Sequence, residues 1–324
     1  MNTGNLSEVF EDIFSNCDVL ISSLQKEKES SLQPCEQDLQ EFQSNVVSFS
    51  KVLSHEATKF AIAHSSPPFP EVSTTQSLAG SLCNATSQLV GCYLLLPNTC
   101  GSTFLQIIEK ELESLIFGVK QFVEKIHNLI LKNDNLQPCL LSTGIIWEFC
   151  DKLPTLPKNN KEAVSSVLNR EEQLINDAIE ELEEAANASI NEDEIDSDDE
   201  TTIRGVALEL HPSVRGLVKT AAALVRRTTK LVNDFNGVDQ NRLDPVVEQV
   251  STMSTEVDDL ICSLYPPVNV VLAVDHGNTL SSKMDQLLKT VQGIAGEGDQ
   301  AWIELLSKAV QHNLQNLQTK ASST

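Results

Sequence analysis

Basic residues are scarce in this sequence: 23 lysines and arginines stand against 46 acids in 324 residues, a formal charge of −23. Nucleic-acid phosphates and anionic membrane surfaces are bound by clustered Lys and Arg, so neither is expected as the main partner. Long apolar runs are missing too. The longest, LVGCYLLL at 89–96, stops at Pro97, well short of the ~20 residues of a membrane span, and no charged segment leading into an apolar stretch opens the chain. The eight cysteines, at 17, 35, 83, 92, 100, 139, 150 and 262, contain no Cys-x-x-Cys spacing. A chain of this length needs no staples to hold a core, so they read as reduced thiols, several of them buried. These absences describe a soluble intracellular protein, in which the Asn-x-Ser/Thr matches at Asn5, Asn84 and Asn187 are chance occurrences.

Catalytic signatures are also wanting. GIAGEG at 293–298 is the nearest thing to a phosphate loop, but it lacks the following Lys-Ser/Thr and the preceding strand and reads as an inter-helix turn. Histidines 55, 64, 127, 211, 276 and 312 are scattered, none with a second ligand at metal spacing, and His55-Glu56 has no histidine at position 59 to complete a zincin pattern. Paired carboxylates such as Glu180 with Glu183 or Glu184 fall on a solvated helix face, where nothing separates their pKa values for acid-base work. No catalytic, cofactor-binding or metal-binding residue is assigned, no cofactor is expected, and the chain reads as a non-enzyme.

What the sequence does have is helical rhythm. Leu6, Val9, Phe10, Ile13, Phe14, Cys17, Leu20, Ile21 and Leu24 recur at steps of three and four, one face of a helix. The same spacing predicts helices over 5–31, 36–64, 72–96, 101–133, 140–153, 160–190, 204–235, 240–264, 268–294 and 299–319, and strand-like alternation is nowhere sustained. Ten of the twelve prolines fall between these segments, where a missing N–H costs nothing. Pro212 and Pro245 are the exceptions and read as helix starts, the second behind the capping Asp244. Asn159 with Glu162 suggests a capping box opening the helix at 160.

The segment 101–133 requires a separate test. Leu105, Ile108, Leu112, Leu115, Val119, Phe122, Ile126 and Leu129 form a zipper-like seam, but Ile116, Val123 and Ile130 widen it beyond a two-stranded coiled coil. A wide stripe belongs to a helix inside a bundle, and the protein is expected to be monomeric. The fold class is therefore all-α: two antiparallel helical bundles in series, about ten helices.

Residues 171–200 hold fourteen acids and no base, culminating in NEDEIDSDDE at 191–200. That run is the expected boundary: an N-terminal helical bundle over 1–190, an acidic linker over 191–203 and a C-terminal bundle over 204–324. Its acids punctuate the helices on either side, with Thr201 or Thr202 available to cap the second. Ser197, followed by Asp198, Asp199 and Glu200, suits an acidophilic kinase, whose phosphate would add about −1.5 to −2 of charge. The next segment carries Arg204, Arg215, Lys219, Arg226, Arg227 and Lys230, too sparse for a DNA-reading basic region and read as a solvated face partly balancing the acidic run.

Several stretches resemble one family. SHEATKF at 54–60, CYLLLP at 92–97, WEFCDKLPTLPKNNKEA at 147–163, SLYPPV at 263–268 and AWIELLSKAVQHNLQNL at 301–317 are similar, in order and separation, to segments of the D-type cyclin-binding protein family, also called GCIP. The resemblance implies a non-enzymatic, all-helical regulator of nucleus and cytoplasm that binds D-type cyclins and helix-loop-helix transcription factors, restrains cell-cycle progression and transcription, and does not contact DNA itself. The residues of these stretches are expected to be structural, with a partner surface as the alternative: Glu56, Ala57, Thr58, Trp147, Pro154, Pro157, Tyr265, Pro266, Pro267 and Trp302. Trp147, Phe149 and Leu153 sit at spacings suited to one buried face, and Tyr265-Pro266-Pro267 ends one helix and directs the next. Arg215-Gly216-Leu217 has the letters of a cyclin-docking peptide but falls in a helical segment. Serial helical bundles also occur in vinculin- and talin-like cytoskeletal scaffolds, and that alternative rests on architecture alone.

Overall fold

The computed structural model describes residues 3–26, 36–65, 67–132, 137–191, 203–237 and 239–323. Among these residues the fold is all-α, with no strand: α1 (Thr3–Leu24), α2 (Glu36–Ala63), α3 (Val72–Leu94), α4 (Ser102–Lys132), α5 (Gln137–Lys152), α6 (Asn160–Asn191), α7 (Val206–Asp234), α8 (Asp244–Val250), α9 (Met253–Cys262), α10 (Val270–Gln292) and α11 (Gln300–Ser323). No helix among them is long and apolar enough to cross a membrane. Ser197, its acidic neighbours, and Thr201 and Thr202 lie outside the described residues.

The chain forms two compact units, Met1–Asn160 and Lys161–Thr324. The division therefore falls at the first residue of α6 and not at the acidic run, which corrects the expected boundary at 190. The reason is the apolar face of α6: Leu168, Ile175 and Leu182 are fully buried in one core with Leu210, Leu217 and Leu224 of α7. Ion pairs line the same seam, Glu172 to Arg226 at 2.6 Å and Glu183 to both Arg215 at 2.8 Å and Lys219 at 2.7 Å. The acids that balance the basic helix are thus those of α6 itself.

In the first unit α1 lies against α3 and α4, α2 pairs with α3, and α5 fits between α2 and α4. The wide stripe of α4 does what its width requires: Leu105, Ile108, Leu112, Leu115, Ile116, Val119, Phe122, Val123 and Ile126 are all buried inside the unit. Phe60 of α2 meets Phe10 of α1 and Phe122 of α4 edge to face, each at 6.1 Å. Burying a side chain of this size contributes about 1.5–3 kcal/mol. The start of α4 is fixed from a distance. Gly101 takes φ +100°, and the space a Cβ would need there is filled by Asn160, whose Oδ1 accepts the Phe104 N–H at 3.0 Å.

In the second unit α10 packs on α9 and α11, and α11 on α7. Two expectations are corrected here. The helix expected over 240–264 is a 3-10 turn at Gln240–Leu243 followed by α8 and α9. Pro245 does sit in the first turn of α8, but the chain breaks at Thr252 (φ −121°, ψ 9°), and Glu171 of α6 accepts the freed Ser254 N–H at 3.3 Å. Pro212 does not start a helix; α7 begins at Val206 after Gly205 at φ +56°, and the proline lies inside it with its ring exposed.

Candidate functional site

The first unit carries an open groove between α2 and α5. Side chains one turn apart on α2 reach it in two rows, Ser50, Ser54 and Thr58 in one and Val47, Lys51 and His55 in the other, the spacing that stacks residues on one helix face. Trp147, Cys150, Asp151 and Pro154 of the α5 side form the facing wall. The Trp147 indole N–H donates to Thr58 Oγ1 at 3.0 Å, and Thr58 in turn donates to the Ser54 carbonyl at 2.7 Å. Burial pushes the Cys150 thiol up to about 12, with Asp151 adding to the shift, so it stays protonated and is no nucleophile at neutral pH. At the floor, Ser50 is 2% exposed and its hydroxyl has no hydrogen-bond partner.

The groove continues along α2. A second hollow shares Val47 and Pro154 with the first and extends past Leu153 and Pro157 to Phe42 and Lys158. The two hollows measure about 440 and 310 Å³. At that far end Gln43 donates to the Lys158 carbonyl at 2.9 Å.

The family-like residues separate into three groups. Thr58, Trp147, Pro154 and Pro157 come together on this groove. Ala57 is core, and Glu56 pairs with Lys59 at 2.7 Å. Tyr265 is half-buried and Pro266 and Pro267 are exposed between α9 and α10, while Trp302 donates its indole N–H to Asp299 at 2.9 Å at the start of α11. The expected common buried face of Trp147, Phe149 and Leu153 is not found. Two residues along a helix are about 200° apart, so Trp147 meets α2 while Phe149 packs over Gly118 of α4, where an added Cβ would stand 3.3 Å from its ring. Because α5 is wedged between two helices, both of its faces are used. Arg215-Gly216-Leu217 is helical, with Arg215 paired to Glu183 and Leu217 fully buried.

Sequence reasoning missed Ser50, Lys51 and Asp151; the i, i+4 spacing of Ser50, Ser54 and Thr58 was the available signal. It also missed a trio that only tertiary structure assembles. Glu256 and Asp259 of α9 and His276 of α10 offer ligand atoms within 4.8 Å of one another. Lys283 already holds that spot, 2.7 Å from Glu256, with a second bond to Thr252 at 2.8 Å.

The fold and the groove define a class: an all-helical, two-unit protein with one signature-lined groove in its first unit. Residues 45–188 match the family described as Grap2 and cyclin-D-interacting, N-terminal, a stretch that contains the signature-bearing walls of the groove. The chain is 31% identical over 282 residues to the cyclin-D1-binding protein 1 homolog of Xenopus laevis, covering 82% of this chain and 84% of that one. It is 29% identical over 287 residues to the Danio rerio homolog, 83% of each chain, and 24% identical over 295 residues to cyclin-D1-binding protein 1 of Homo sapiens, 84% of this chain and 82% of that one. The chain belongs to this cyclin-D-interacting (GCIP) family.

Proposed function

We propose that the chain is a non-enzymatic regulatory protein that holds a D-type cyclin through the α2–α5 groove. Helix-loop-helix transcription factors are its second partner class, and it acts by sequestration in cytoplasm and nucleus, without touching DNA, to restrain cell-cycle progression and transcription. The observation that supports this reading is a convergence. Two family-like stretches, 54–60 and 147–163, stand about 90 positions apart, yet Thr58 and Trp147 bond to each other on an open groove. Residues selected only for core packing would be covered, whereas Trp147 remains 37% exposed. The relatives' names supply the partner, since they are called cyclin-D1-binding proteins.

Co-purification of recombinant D-type cyclin with the full chain and with its Trp147→Ala variant tests this. Capture by the parent and loss with the folded variant is the expected result; no capture by either would overturn it. Actin co-sedimentation in the same preparation tests the cytoskeletal scaffold alternative.

A further inference from the structure

We infer that the α2–α5 groove takes an extended acidic peptide segment, with apolar side chains against Val47 and Pro154 and carboxylates facing Lys51 and His55. This deepens the binding-protein reading and rests on it.

The shape comes first. The two hollows share Val47 and Pro154 and run along α2 from Phe42 to Thr58, about 24 Å at 1.5 Å per helical residue. An extended chain covers that length with about seven residues at 3.3 Å each. The walls are tied together at both ends, by Trp147 to Thr58 at 3.0 Å and by Gln43 to the Lys158 carbonyl at 2.9 Å. The two hollows, about 440 and 310 Å³, hold far less than a helix about 10–12 Å across and of that length would fill, which favours a single extended strand and its side chains.

Charge selects the occupant. Lys51 and His55, one turn apart on α2, are both exposed, and neither forms an ion pair with a described residue. Lys158 stands at the far end, and Asp151 is the one acid among the described lining residues. In a chain with twice as many acids as bases, the lining of this groove reverses the balance, so an acidic segment is attracted here and repelled by the rest of the surface. The apolar part of the lining, Val47 with Leu153, Pro154 and Pro157, calls for aliphatic side chains between the acids.

The Ser50 hydroxyl is the independent observation. It is nine-tenths buried and unpartnered, whereas Thr58 on the same row satisfies itself on the Ser54 carbonyl. A buried donor without an acceptor is costly, and a carbonyl or carboxylate oxygen seated on the groove floor relieves it.

The test uses the full chain and fluorescein-labelled Leu-Glu-Pro-Leu-Glu-Pro-Leu, followed by anisotropy. A version with lysine for glutamate and an alanine-rich helical peptide of the same charge serve as comparisons. The glutamate peptide is expected to bind at least about tenfold more tightly than either, Lys51→Glu to remove that preference, and Ser50→Ala to weaken binding about three- to tenfold without lowering Tm, since the hydroxyl it removes has no partner in the free protein. Equal binding of the two charge types, tighter binding of the helical peptide, no binding of any, or indifference to Lys51→Glu would each overturn the inference. So would a dimer that Lys51→Glu dissolves, which would make a second copy the occupant. Cyclin co-purification separates the two readings. Peptide preference without cyclin capture leaves the groove and removes the cyclin; cyclin capture without peptide preference does the reverse.

Discussion

Trp147 and Thr58 are bonded at 3.0 Å across 89 positions of sequence. The bond sets the spacing of α5 on α2 and holds an indole at the groove edge. Thr58→Val keeps the shape of the side chain and removes the acceptor. Because water can reach the indole, the expected cost is only about 0.5–1.5 kcal/mol. The sharper readout is Trp147 emission in a Trp302→Phe background, which should move to the red; an unmoved spectrum would show that the contact is not held in solution.

Glu171 caps α9 from α6, its carboxylate 2% exposed and 3.3 Å from the Ser254 N–H. Glu171→Ala leaves that buried N–H without an acceptor and should cost the second unit about 1–3 kcal/mol by urea unfolding. The same geometry sets which fragments fold. Residues 161–324 should unfold cooperatively, and residues 204–324, lacking Leu168, Ile175 and Leu182, should not.

His64 is buried, with Nδ1 2.7 Å from the Phe60 carbonyl and Nε2 3.1 Å from Thr75 Oγ1. The neutral ring protonated on Nδ1 satisfies both: it donates to the carbonyl and accepts from the hydroxyl. Burial holds its pKa below the ordinary 6.5, as it does for His127. Below 6.5 the unfolded chain therefore binds protons that the folded chain refuses. Stability should be complete above that pH and fall as pH is lowered through it, by up to about 1.4 kcal/mol per pH unit for buried His64 and by less for the solvent-screened, half-exposed His127. Urea midpoints of the first unit between pH 7.5 and 5.5 should show this slope, and His64→Gln should flatten it; an unchanged slope in the variant would contradict the assignment.

Gly101 and Gly80 should respond to alanine with opposite signs. At Gly101, φ is +100° and Asn160 occupies the Cβ position, so alanine costs about 1–3 kcal/mol in backbone strain and more if the α4 cap is displaced. Gly80 is an exposed α3 residue with nothing within 4 Å, where alanine should stabilise by about 0.5–1 kcal/mol. Thermal unfolding of the two variants makes the comparison.

Periodicity revealed the helices because their apolar faces are continuous: α4 is buried along the residues its stripe names as far as Ile126, with Leu129 and Ile130 half-buried at its end. It failed at 240–264, where α8 and α9 share one apolar rhythm and the break depends on Glu171, about eighty residues away. The unit boundary was misplaced for a related reason. The acidic run is conspicuous in composition, but composition is silent on which core receives Leu168, Ile175 and Leu182. Of the groove, Thr58, Trp147, Pro154 and Pro157 were visible as family-like residues, though not as neighbours. Ser50, Lys51 and Asp151 are ordinary helix residues until α5 is laid beside α2.

Hydroxyl-radical footprinting of the full chain with and without recombinant D-type cyclin tests the central claim most directly. Trp147 is 37% exposed on the groove, and half-buried Trp302 in the other unit is the internal reference. Oxidation of Trp147 should fall several-fold on cyclin binding while that of Trp302 stays constant. Cyclin binding with Trp147 still fully oxidised would contradict the account.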